Sequence, residues 1–470
     1  MMNKKTNISF SEIIFDKSIY PRFQIDRKRV DIFIENIKDG MKFEPVEVEE
    51  HPEKAGKFRI IDGVHRWSAY KAIGTEKIDV IIIDLKGDSP LLYSASRAIG
   101  PKQLLEAEAK ETARTVYRNN PQISIATISK SIGRSTRTVV RYISDLKAVF
   151  EQEVDIKIYH MIQLGIPQQR VSYILDIPQR TLSNRIGKLS EMTKPIKADL
   201  VKGFSVSQIA EKYNCRESMI LSIMSENKDD IEIFKSLKWG LRTWDYWYWS
   251  NCDDRFGDDW PGRIPAQLIG HILFFFSKQR DLVIDPMGGG GVTSDTCLVF
   301  NRKCWSFDLS DNKDKRPEIE KYYWDINNLK WPVAGKIKPD IIIFDPPYFD
   351  KKSDVYDSKS ISNLSADDYM RFLKKFCLLL NQNSKKGTRF AFINADWRNF
   401  QSTSALNESN ENAILIDDYL RIIKDAGWQR THIIQAPLSS ERFNAGVVTA
   451  MQKKRILGVT SRYVIISFKK

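Results

Sequence analysis

A short apolar run that two prolines interrupt constrains this chain more than any other feature. Ile341–Phe344 predicts a buried strand, and Asp345, Pro346, Pro347 and Tyr348 follow it directly. The prolines stop the strand because they have no N–H to give to a ladder. The turn therefore holds a carboxylate, two carbonyls and an aromatic ring at a strand's carboxyl end, where open α/β sheets carry their chemistry. This set suits an exocyclic amino group on a flat ring: Asp345 and a turn carbonyl accept its two hydrogens while Tyr348 stacks.

A second pattern precedes it. Residues 281–285 predict another buried strand, and Pro286, Met287 and four consecutive glycines lead from it into a helix that contains Thr293. Glycines let the backbone approach a ligand closely, and the N–H groups at the start of the next helix point toward that ligand. Such loops also occur in dinucleotide sites and in plain tight turns. The glycines therefore indicate a ligand site only together with the motifs that precede and follow them.

Two further acids fall between these patterns. Asp308 ends a predicted strand at residues 303–307, about 20 residues after the glycines, where α/β nucleotide sites bind ribose hydroxyls. Asp325 follows three aromatic residues. Each aspartate alone also suits a helix cap or a turn, so the order of loop, acids and proline turn is what favours a ligand site.

In that order the chain resembles the amino-methylating DNA methyltransferases, whose catalytic motif is Asp-Pro-Pro-Tyr. The resemblance implies a Rossmann-like α/β domain that uses S-adenosyl-L-methionine, with Met287 where the family usually has an aromatic residue. It assigns catalysis to Asp345, Pro346, Pro347 and Tyr348. It assigns cofactor binding to Asp285, Pro286, Gly289, Gly291, Thr293, Asp308 and Asp325. No cysteine stands near the turn in sequence, and no covalent intermediate is expected.

The resemblance covers roughly residues 240–470. Residues 260–265 and the apolar helix predicted at residues 266–276 match a segment that covers the methionine end of the cofactor in the family. The aromatic cluster at residues 244–249 is expected to lie mostly in the core, with one or two rings at the pocket. Residues 456–462 and 463–470 are expected to form the closing strand pair of the sheet.

The first 95 residues form a different unit, an α+β domain that looks like the ParB/sulfiredoxin-like fold. Gly63, His65 and Arg66 stand at a predicted helix start, where a glycine, N–H groups and a guanidinium suit phosphates. The resemblance implies nucleotide binding, with CTP as the first ligand to consider, although His65 and Arg66 also suit packing and capping. Sulfiredoxin chemistry is excluded because Val64 stands where a cysteine is needed.

Residues 96–230 predict an all-α segment with three helix-turn-helix patterns. In the first, Ser135 caps a helix that carries Arg137 and Arg141 four residues apart, so both can face DNA. Patterns near residues 169–185 and 205–220 echo it, and the third also fits a plain helical hairpin. Such helices serve protein contacts as well as DNA. The predicted organisation is therefore 1–95, 96–230 and 231–470.

Composition agrees with a nucleic-acid partner. The chain has 73 Lys and Arg against 60 Asp and Glu, a formal charge of +13, which favours DNA but is shared by ribosomal and membrane-surface proteins. Its last twenty residues contain no acid, and their basic residues suit phosphate contact or a solvated edge: Lys453, Lys454, Arg455, Arg462, Lys469 and Lys470. Five cysteines show neither close pairs nor metal-ligand spacing, which favours a reduced cytoplasmic setting and no metal. No membrane span is predicted.

Three alternatives stay open at this point. Asp345 favours adenine N6 over cytosine N4, because the family's cytosine enzymes more often carry serine before the prolines. A ParB-like DNA-binding regulator with a degenerate methyltransferase half is the alternative of a different class, and intact Gly289, Gly291, Asp345 and Tyr348 argue against it. RNA is a further substrate to consider, and a homodimer and a cognate restriction enzyme are further partners.

Overall fold

The computed structural model describes residues 4–98, 103–332, 337–349, 359–398, 413–438, 444–455 and 457–470. The chain divides into two compact units, Met1–Gln152 and Glu153–Lys470. The division at 95/96 and 230/231 is finer than this one and stays a prediction.

The first unit begins with a mixed sheet of five strands in the order β1-β5-β3-β4-β2. The strands are β1 (Lys4–Ser9), β2 (Ile13–Ile14), β3 (Val46–Glu50), β4 (Phe58–Asp62) and β5 (Lys77–Ile82). Two helices, α1 (Arg27–Lys38) and α2 (Val64–Ala72), pack against each other. Buried aliphatic side chains of the strands and Trp67 of α2 form a core in this unit.

Helices follow the sheet in the first unit. They are α3 (Pro90–Arg97), α4 (Glu106–Asn119), α5 (Ile125–Ile132) and α6 (Thr136–Gln163), and the boundary between the units falls inside α6. Gly133 ends α5 in the left-handed conformation at φ 63°, which glycine adopts without the Cβ clash of other residues. The apolar faces of these helices form a second core.

The second unit opens on the last part of α6, and six further helices lead from it to the sheet. They are α7 (Gln168–Leu175), α8 (Gln179–Ile186), α9 (Leu189–Val201), α10 (Val206–Tyr213), α11 (Glu217–Met224) and α12 (Asp230–Leu237). Buried side chains of these helices belong to the same hydrophobic core as those of the sheet.

The sheet of the second unit has seven strands in the order β13-β14-β10-β9-β6-β7-β8. The strands are β6 (Leu282–Asp285), β7 (Lys303–Asp308), β8 (Ile319–Lys321), β9 (Ile341–Phe344), β10 (Arg389–Ala395), β13 (Trp428–Gln435) and β14 (Arg462–Lys469). A separate ribbon pairs β11 (Trp397–Arg398) with β12 (Ala413–Ile414). The helices are α13 (Ala266–Phe276), α14 (Val292–Val299), α15 (Ala366–Gln382), α16 (Ile416–Asp425) and α17 (Ala445–Lys454).

Strand order and direction explain where a site can form. β8, β7, β6, β9 and β10 run parallel, and β14 lies antiparallel between β10 and β13. The order reverses between β6 and β9, because β6 continues to β7 on one side while β9 continues to β10 on the other. Loops at the carboxyl ends of strands separate at such a switch point, and ligands bind in the resulting crevice.

This sheet confirms the predicted α/β class, and the predicted strands at β6, β7 and β9 and the helix at α13 are present. One prediction is wrong: residues 457–461 form no strand, and β13 pairs with β14 in their place. Residue 456 and the polar segment 401–412 lie outside the described residues. None of the helices in the described part of the chain has the length and apolar character that a membrane crossing requires.

Candidate functional site

The proline turn at residues 345–348 lies at the carboxyl end of β9, whose four residues are all buried. The Tyr348 hydroxyl donates a hydrogen bond of 3.0 Å to Asp345 Oδ1. The Tyr369 hydroxyl of α15 donates to the Pro347 carbonyl at 3.2 Å. Because Pro347 already accepts this bond, the Pro346 carbonyl is the better candidate for a second acceptor beside Asp345.

Burial controls the ionisation of this turn. Burial raises the pKa of Asp345 to about 7, although the Arg462 guanidinium and the Tyr348 hydroxyl act in the opposite direction. Burial likewise raises the pKa of Asp285, at the end of the adjacent strand β6, to about 7. It also raises the pKa of the Tyr348 hydroxyl well above its ordinary value, so Tyr348 is a hydrogen-bond donor here. A carboxyl group with a pKa near neutrality can change its proton occupancy under physiological conditions.

Arg462 is a part of this site that the sequence reasoning assigned to a solvated edge or to phosphate contact. It is buried and starts β14, and its Nε donates to the Ala436 carbonyl at 2.8 Å. Because β14 runs antiparallel to β10, its first residue lies at the edge where the parallel strands end. The available signal was an arginine that immediately precedes an apolar strand in the chain.

The glycine loop, residues 288–291, leads from β6 into α14 and is held by Asp308. The Gly289 N–H donates to Asp308 Oδ2 at 2.9 Å, and the Ser310 N–H donates to Oδ1 at 2.9 Å. Asp285 Oδ1 accepts from the Met287 N–H at 3.1 Å. The ends of β6 and β7 and the loop between them therefore form one hydrogen-bonded cradle.

Trp260 covers two of the loop glycines. A Cβ at Gly289, whose φ is +48°, would lie 3.0 Å from Trp260 Nε1. A Cβ at Gly290 would lie 2.8 Å from Trp260 Cβ and 3.1 Å from the Asp258 carbonyl oxygen. The absence of side chains thus allows Trp260 and its neighbours to approach the loop backbone.

The proline turn and the glycine loop open on the same cavity, which has a volume of about 450 Å³. This volume is in the range of small-molecule sites. The predicted site residues that line it are Asp285, Gly289, Thr293, Asp308, Asp345, Pro346, Pro347 and Tyr348. The structure therefore brings together residues from three strand ends. In the chain these residues are spread over about sixty positions, from Asp285 to Asp345.

Pro286 and Gly291 do not line the cavity. The Pro286 carbonyl accepts a hydrogen bond of 2.9 Å from Trp324 Nε1. Gly291 starts α14 at φ +86°, and a Cβ there would lie 2.6 Å from Arg316 Nη1. Gly291 therefore makes room for a buried arginine on the side of the loop away from the cavity lining.

Asp325 is also absent from the cavity lining. Its Oδ1 accepts the Asn327 N–H at 2.9 Å, which is an ordinary arrangement in turns. The preceding residues Tyr323 and Trp324 line the cavity. The part of this segment that lines the cavity is therefore the aromatic pair directly before Asp325.

Other lining residues come from the segment before α13 and from the loop before α15. Trp249, Trp260, Arg263 and Lys359 are among them. The prediction that the aromatic cluster at residues 244–249 lies mostly in the core is wrong: Trp247 is buried and Trp249 reaches the cavity, but Trp244 and Tyr246 are exposed. The rings supply flat apolar surface, and the two cations can balance the acids of the cavity.

Gly63, His65 and Arg66 lie together in the first unit at the start of α2. Gly63 caps the helix at φ 91°. Arg66 donates to the Glu44 carbonyl at 2.7 Å and pairs with Asp62 at 2.8 Å. His65 Nε2 accepts the backbone N–H of Asp26 at 3.2 Å. In this structure these side chains therefore bind protein groups.

The three predicted helix-turn-helix patterns are pairs of helices with different exposure. In the first pair, Arg137 and Arg141 are exposed on α6, and Arg141 lies 3.5 Å from Glu106. In the second pair, Arg180 is exposed on α8, whereas Arg170 pairs with Glu320. These exposed arginines satisfy one requirement of a phosphate or groove contact.

The third pair cannot present its second helix to DNA. Residues 218–223 of α11 are all buried, and the helix packs against α14. Arg216, which precedes α11, bonds to Asp258 rather than facing solvent alone. The alternative of a plain helical hairpin is therefore the correct one for this pair.

The fold and site define a doubly wound α/β protein with a small-molecule cavity at its switch point. Residues 2–94 match the family model of the ParB N-terminal domain. No curated protein matches the chain.

Solved structures with some similarity fall into two groups. The truncated chromosome-partitioning protein ParB from Caulobacter crescentus with CTP-gamma-S is 15% identical over 39% of this chain and 99% of its own, with a TM-score of 0.20. The same protein with the centromeric parS site is 13% identical over 44% and 98%, with a TM-score of 0.23. An S-adenosylmethionine-dependent methyltransferase from Clostridium acetobutylicum is 14% identical over 43% and 90%, with a TM-score of 0.26. Similarities this low carry no argument about activity, substrate or partner.

Proposed function

We propose that the protein is a DNA methyltransferase that transfers a methyl group from S-adenosyl-L-methionine to the N6 amino group of an adenine flipped out of the duplex. The observation that carries the proposal is the position of Asp345: it stands in a proline turn that shares one cavity with a glycine loop. A cofactor in the cradle and a base at the turn would meet in that cavity.

The cradle fits the proposed cofactor. Asp308 uses one acceptor position on each oxygen for a backbone N–H, and a carboxylate has about four such positions, so it can also accept ribose hydroxyls. Tyr323 and Trp324 offer ring surface for the adenine portion. When bound, the cofactor supplies an electrophilic methyl group on a sulfonium.

The turn fits an exocyclic amine. The lone pair of such an amine is delocalised into the ring, which makes the nitrogen a poor nucleophile. Asp345 and the Pro346 carbonyl accept its two hydrogens and direct the lone pair toward the methyl group. The new N–C bond would form as the S–CH3 bond of the sulfonium breaks, with that electron pair staying on sulfur as a neutral thioether. The nitrogen would lose one proton, which Asp345 is suited to accept because burial raises its pKa to about 7.

Tyr348 has a second role in this proposal. In the structure its hydroxyl donates a hydrogen bond of 3.0 Å to the Asp345 carboxyl group. An incoming amino group replaces that hydroxyl, and the ring then stacks on the flipped base. Stacking offsets part of the unpairing cost, which is a few kcal/mol.

The experiment that tests the function is label transfer from tritiated S-adenosyl-L-methionine to unmethylated amplified genomic DNA. Mass spectrometry of the digested product separates N6-methyladenine from N4-methylcytosine, and an RNA sample tests the other polymer. Labelled N6-methyladenine is expected. Absence of label in any nucleic acid would favour the alternative of a DNA-binding regulator with a degenerate catalytic half.

The raised pKa of Asp345 predicts how transfer depends on pH. The ionised carboxylate is the form that accepts hydrogens from the amine, so single-turnover rates should rise through pH 7 and level off above it, because burial raises the pKa of Asp345 to about 7. Between pH 6 and pH 8 the rise should be about tenfold. Asp345→Asn keeps an acceptor that does not titrate, so its transfer rate should not rise between pH 6 and pH 8. A wild-type transfer rate that rises around pH 4 and is constant from pH 6 to pH 8 would contradict the role proposed for Asp345.

We propose that the exposed arginines of the first helix pair bind DNA phosphates or a groove. Arg137→Glu with Arg141→Glu should weaken DNA binding about tenfold or more and lower the slope of log affinity against log salt by about 2. Fluorescence anisotropy at several salt concentrations measures both quantities. Lys38→Glu with Lys54→Glu, two other exposed residues of the first unit, makes the same charge change and serves as the control. If both double variants lost the same DNA affinity, the effect would come from net charge alone, and the proposal for Arg137 and Arg141 would be wrong.

For residues 2–94 we propose nucleotide binding at Gly63 and Arg66, with CTP as the first ligand to test. The match to the ParB N-terminal domain supports it, as does the position of Arg66 at a helix start. Phosphates would replace the bonds that Arg66 now makes to Asp62 and Glu44. Isothermal titration of the full chain with CTP tests this, and absence of binding heat would refute it.

A further inference from the structure

A buried cluster of charged side chains lies beneath the glycine loop. Arg316 donates to both carboxylate oxygens of Asp295, at 2.8 and 2.9 Å. It also donates to Asp258 at 3.0 Å and to Glu318 at 3.2 Å. Although burial opposes it, the Arg316 guanidinium lowers the pKa of Asp295 to about 2. Arg316 and Asp295 therefore form a buried ion pair at the centre of the cluster.

This cluster holds both the glycine loop and the segment that covers it. Arg316 Nη1 lies within 2.6 Å of where a Cβ of Gly291 would stand. Asp295 Oδ2 accepts the Gly257 N–H at 2.7 Å. The Asp258 N–H donates to the Gly290 carbonyl at 2.8 Å. A displacement of Asp258 or Arg316 would therefore move the backbone of the loop.

One positive charge of the cluster belongs to a residue beside α11. This helix ends at Met224, more than fifty residues before the first strand of the sheet begins at Leu282. Arg216, directly before α11, donates to the same Asp258 oxygen as Arg316. Its Nη2 donates to the Lys315 carbonyl at 2.7 Å, next to Arg316 in the chain. The burial of α11 against α14 fixes the position from which Arg216 reaches these groups.

We propose that Arg216 is a positioning residue for the cofactor loop, acting through Asp258 and Arg316. The inference rests on the proposed binding of S-adenosyl-L-methionine. It gives a role beside the cofactor loop to the third helix pair, whose sequence pattern fits either a helix-turn-helix or a plain helical hairpin.

Charge balance explains why Arg216 matters. Three carboxylates, Asp258, Asp295 and Glu318, face two guanidiniums. His160 lies 3.9 Å from Asp295 and 3.7 Å from Glu318, and burial lowers its pKa, so it does not supply a stable third cation. Without Arg216, a single guanidinium must serve three carboxylates. Asp258 then keeps only the bond from Arg316, so the backbone at residue 258, whose N–H holds the Gly290 carbonyl, is less firmly anchored.

The test compares Arg216→Met with Arg185→Met in the full chain. Arg185 pairs with Asp155 in the same unit, and the side-chain exposures of the two pairs are alike: 29% and 32% for Arg216 and Asp258, 26% and 31% for Arg185 and Asp155. We expect Arg216→Met to raise both the KM and the calorimetric Kd for S-adenosyl-L-methionine about tenfold, with kcat and the KM for DNA within about twofold. Arg185→Met should change none of these values.

Two further variants keep the proposal falsifiable. Arg216→Lys restores a cation and should bring the KM back to within about twofold of wild type. In Arg216→Met combined with Asp258→Asn the loss should be smaller than the sum of the two single losses, since each single change removes the Arg216–Asp258 pair. A wild-type protein that binds no S-adenosyl-L-methionine would refute the proposed function. A wild type that binds it, with unchanged affinity in Arg216→Met, would overturn this inference alone.

Discussion

Replacing Asp345 by alanine should lower methyl transfer at least about 100-fold, the size of effect seen when one positioned hydrogen-bonding group is removed from a reacting centre. The variant loses the acceptor that holds one amino hydrogen and the group that receives the released proton. Cofactor affinity should stay within a few-fold of wild type, because the cradle formed by Asp308 and the glycine loop is unchanged. Tritium incorporation into DNA and titration calorimetry measure the two quantities.

Asp417→Ala is a matched control for this experiment. It removes the same side chain from an exposed position on α16 that is not part of the cavity lining, so it should leave transfer and cofactor affinity unchanged. Asp345→Asn should fall between alanine and wild type because its carbonyl oxygen still accepts a hydrogen. Transfer at the wild-type rate by Asp345→Ala would show that another group holds the target amine.

The sequence predicted the centre of the site because parallel strands end at one edge of a sheet. Once residues 281–285, 303–307 and 341–344 are taken as parallel strands, Asp285, Asp308 and Asp345 must lie near one another. Asp325 follows the short strand β8 only after an intervening irregular segment, so no periodic pattern fixed its direction. Its assignment depended on resemblance alone and stays a prediction, while Tyr323 and Trp324, just before it in the chain, line the cavity.

Arg462 shows a second limit of sequence reasoning. Its location depends on β14 lying antiparallel between β10 and β13. Strand order is decided by packing between distant segments and leaves no periodic signal in one chain. The same reason explains why the sequence does not identify the partners of β14: residues 457–461 form no strand, and β14 pairs with β10 and with β13.

The third helix pair is a case in which the signal was present. α11 has Met219, Ile220, Leu221 and Ile223 on several of its faces, with few polar residues between them. A helix that is apolar on every side is buried, whereas a helix that reads DNA needs a polar face. The turn pattern, which resembled the first pair, obscured that difference.

Gly290→Val should strongly reduce cofactor affinity. Among loop substitutions that do not strain the backbone, we expect it to have the largest effect. Gly290 does not have a positive φ, and its added Cβ would lie 2.8 Å from Trp260 Cβ and 3.1 Å from the Asp258 carbonyl oxygen. Trp260 and the backbone behind it must move, and these residues line or support the cavity. Overpacking of this kind costs about 1–3 kcal/mol. The free protein relieves it by displacing Trp260, and binding that requires Trp260 in its present position must restore it, which lowers affinity for S-adenosyl-L-methionine about 5- to 150-fold.

Gly240→Val separates crowding at the loop from the general effect of a new side chain. Gly240 is in the same unit, has no positive φ, and no atom lies within 4 Å of its added Cβ, so cofactor affinity and thermal unfolding should match wild type. Gly290→Val should unfold cooperatively while its calorimetric affinity falls. Wild-type affinity in Gly290→Val would mean that the cofactor does not depend on the contact between Trp260 and the glycine loop, and the cradle would then have to be sought at Asp308 and the aromatic pair alone.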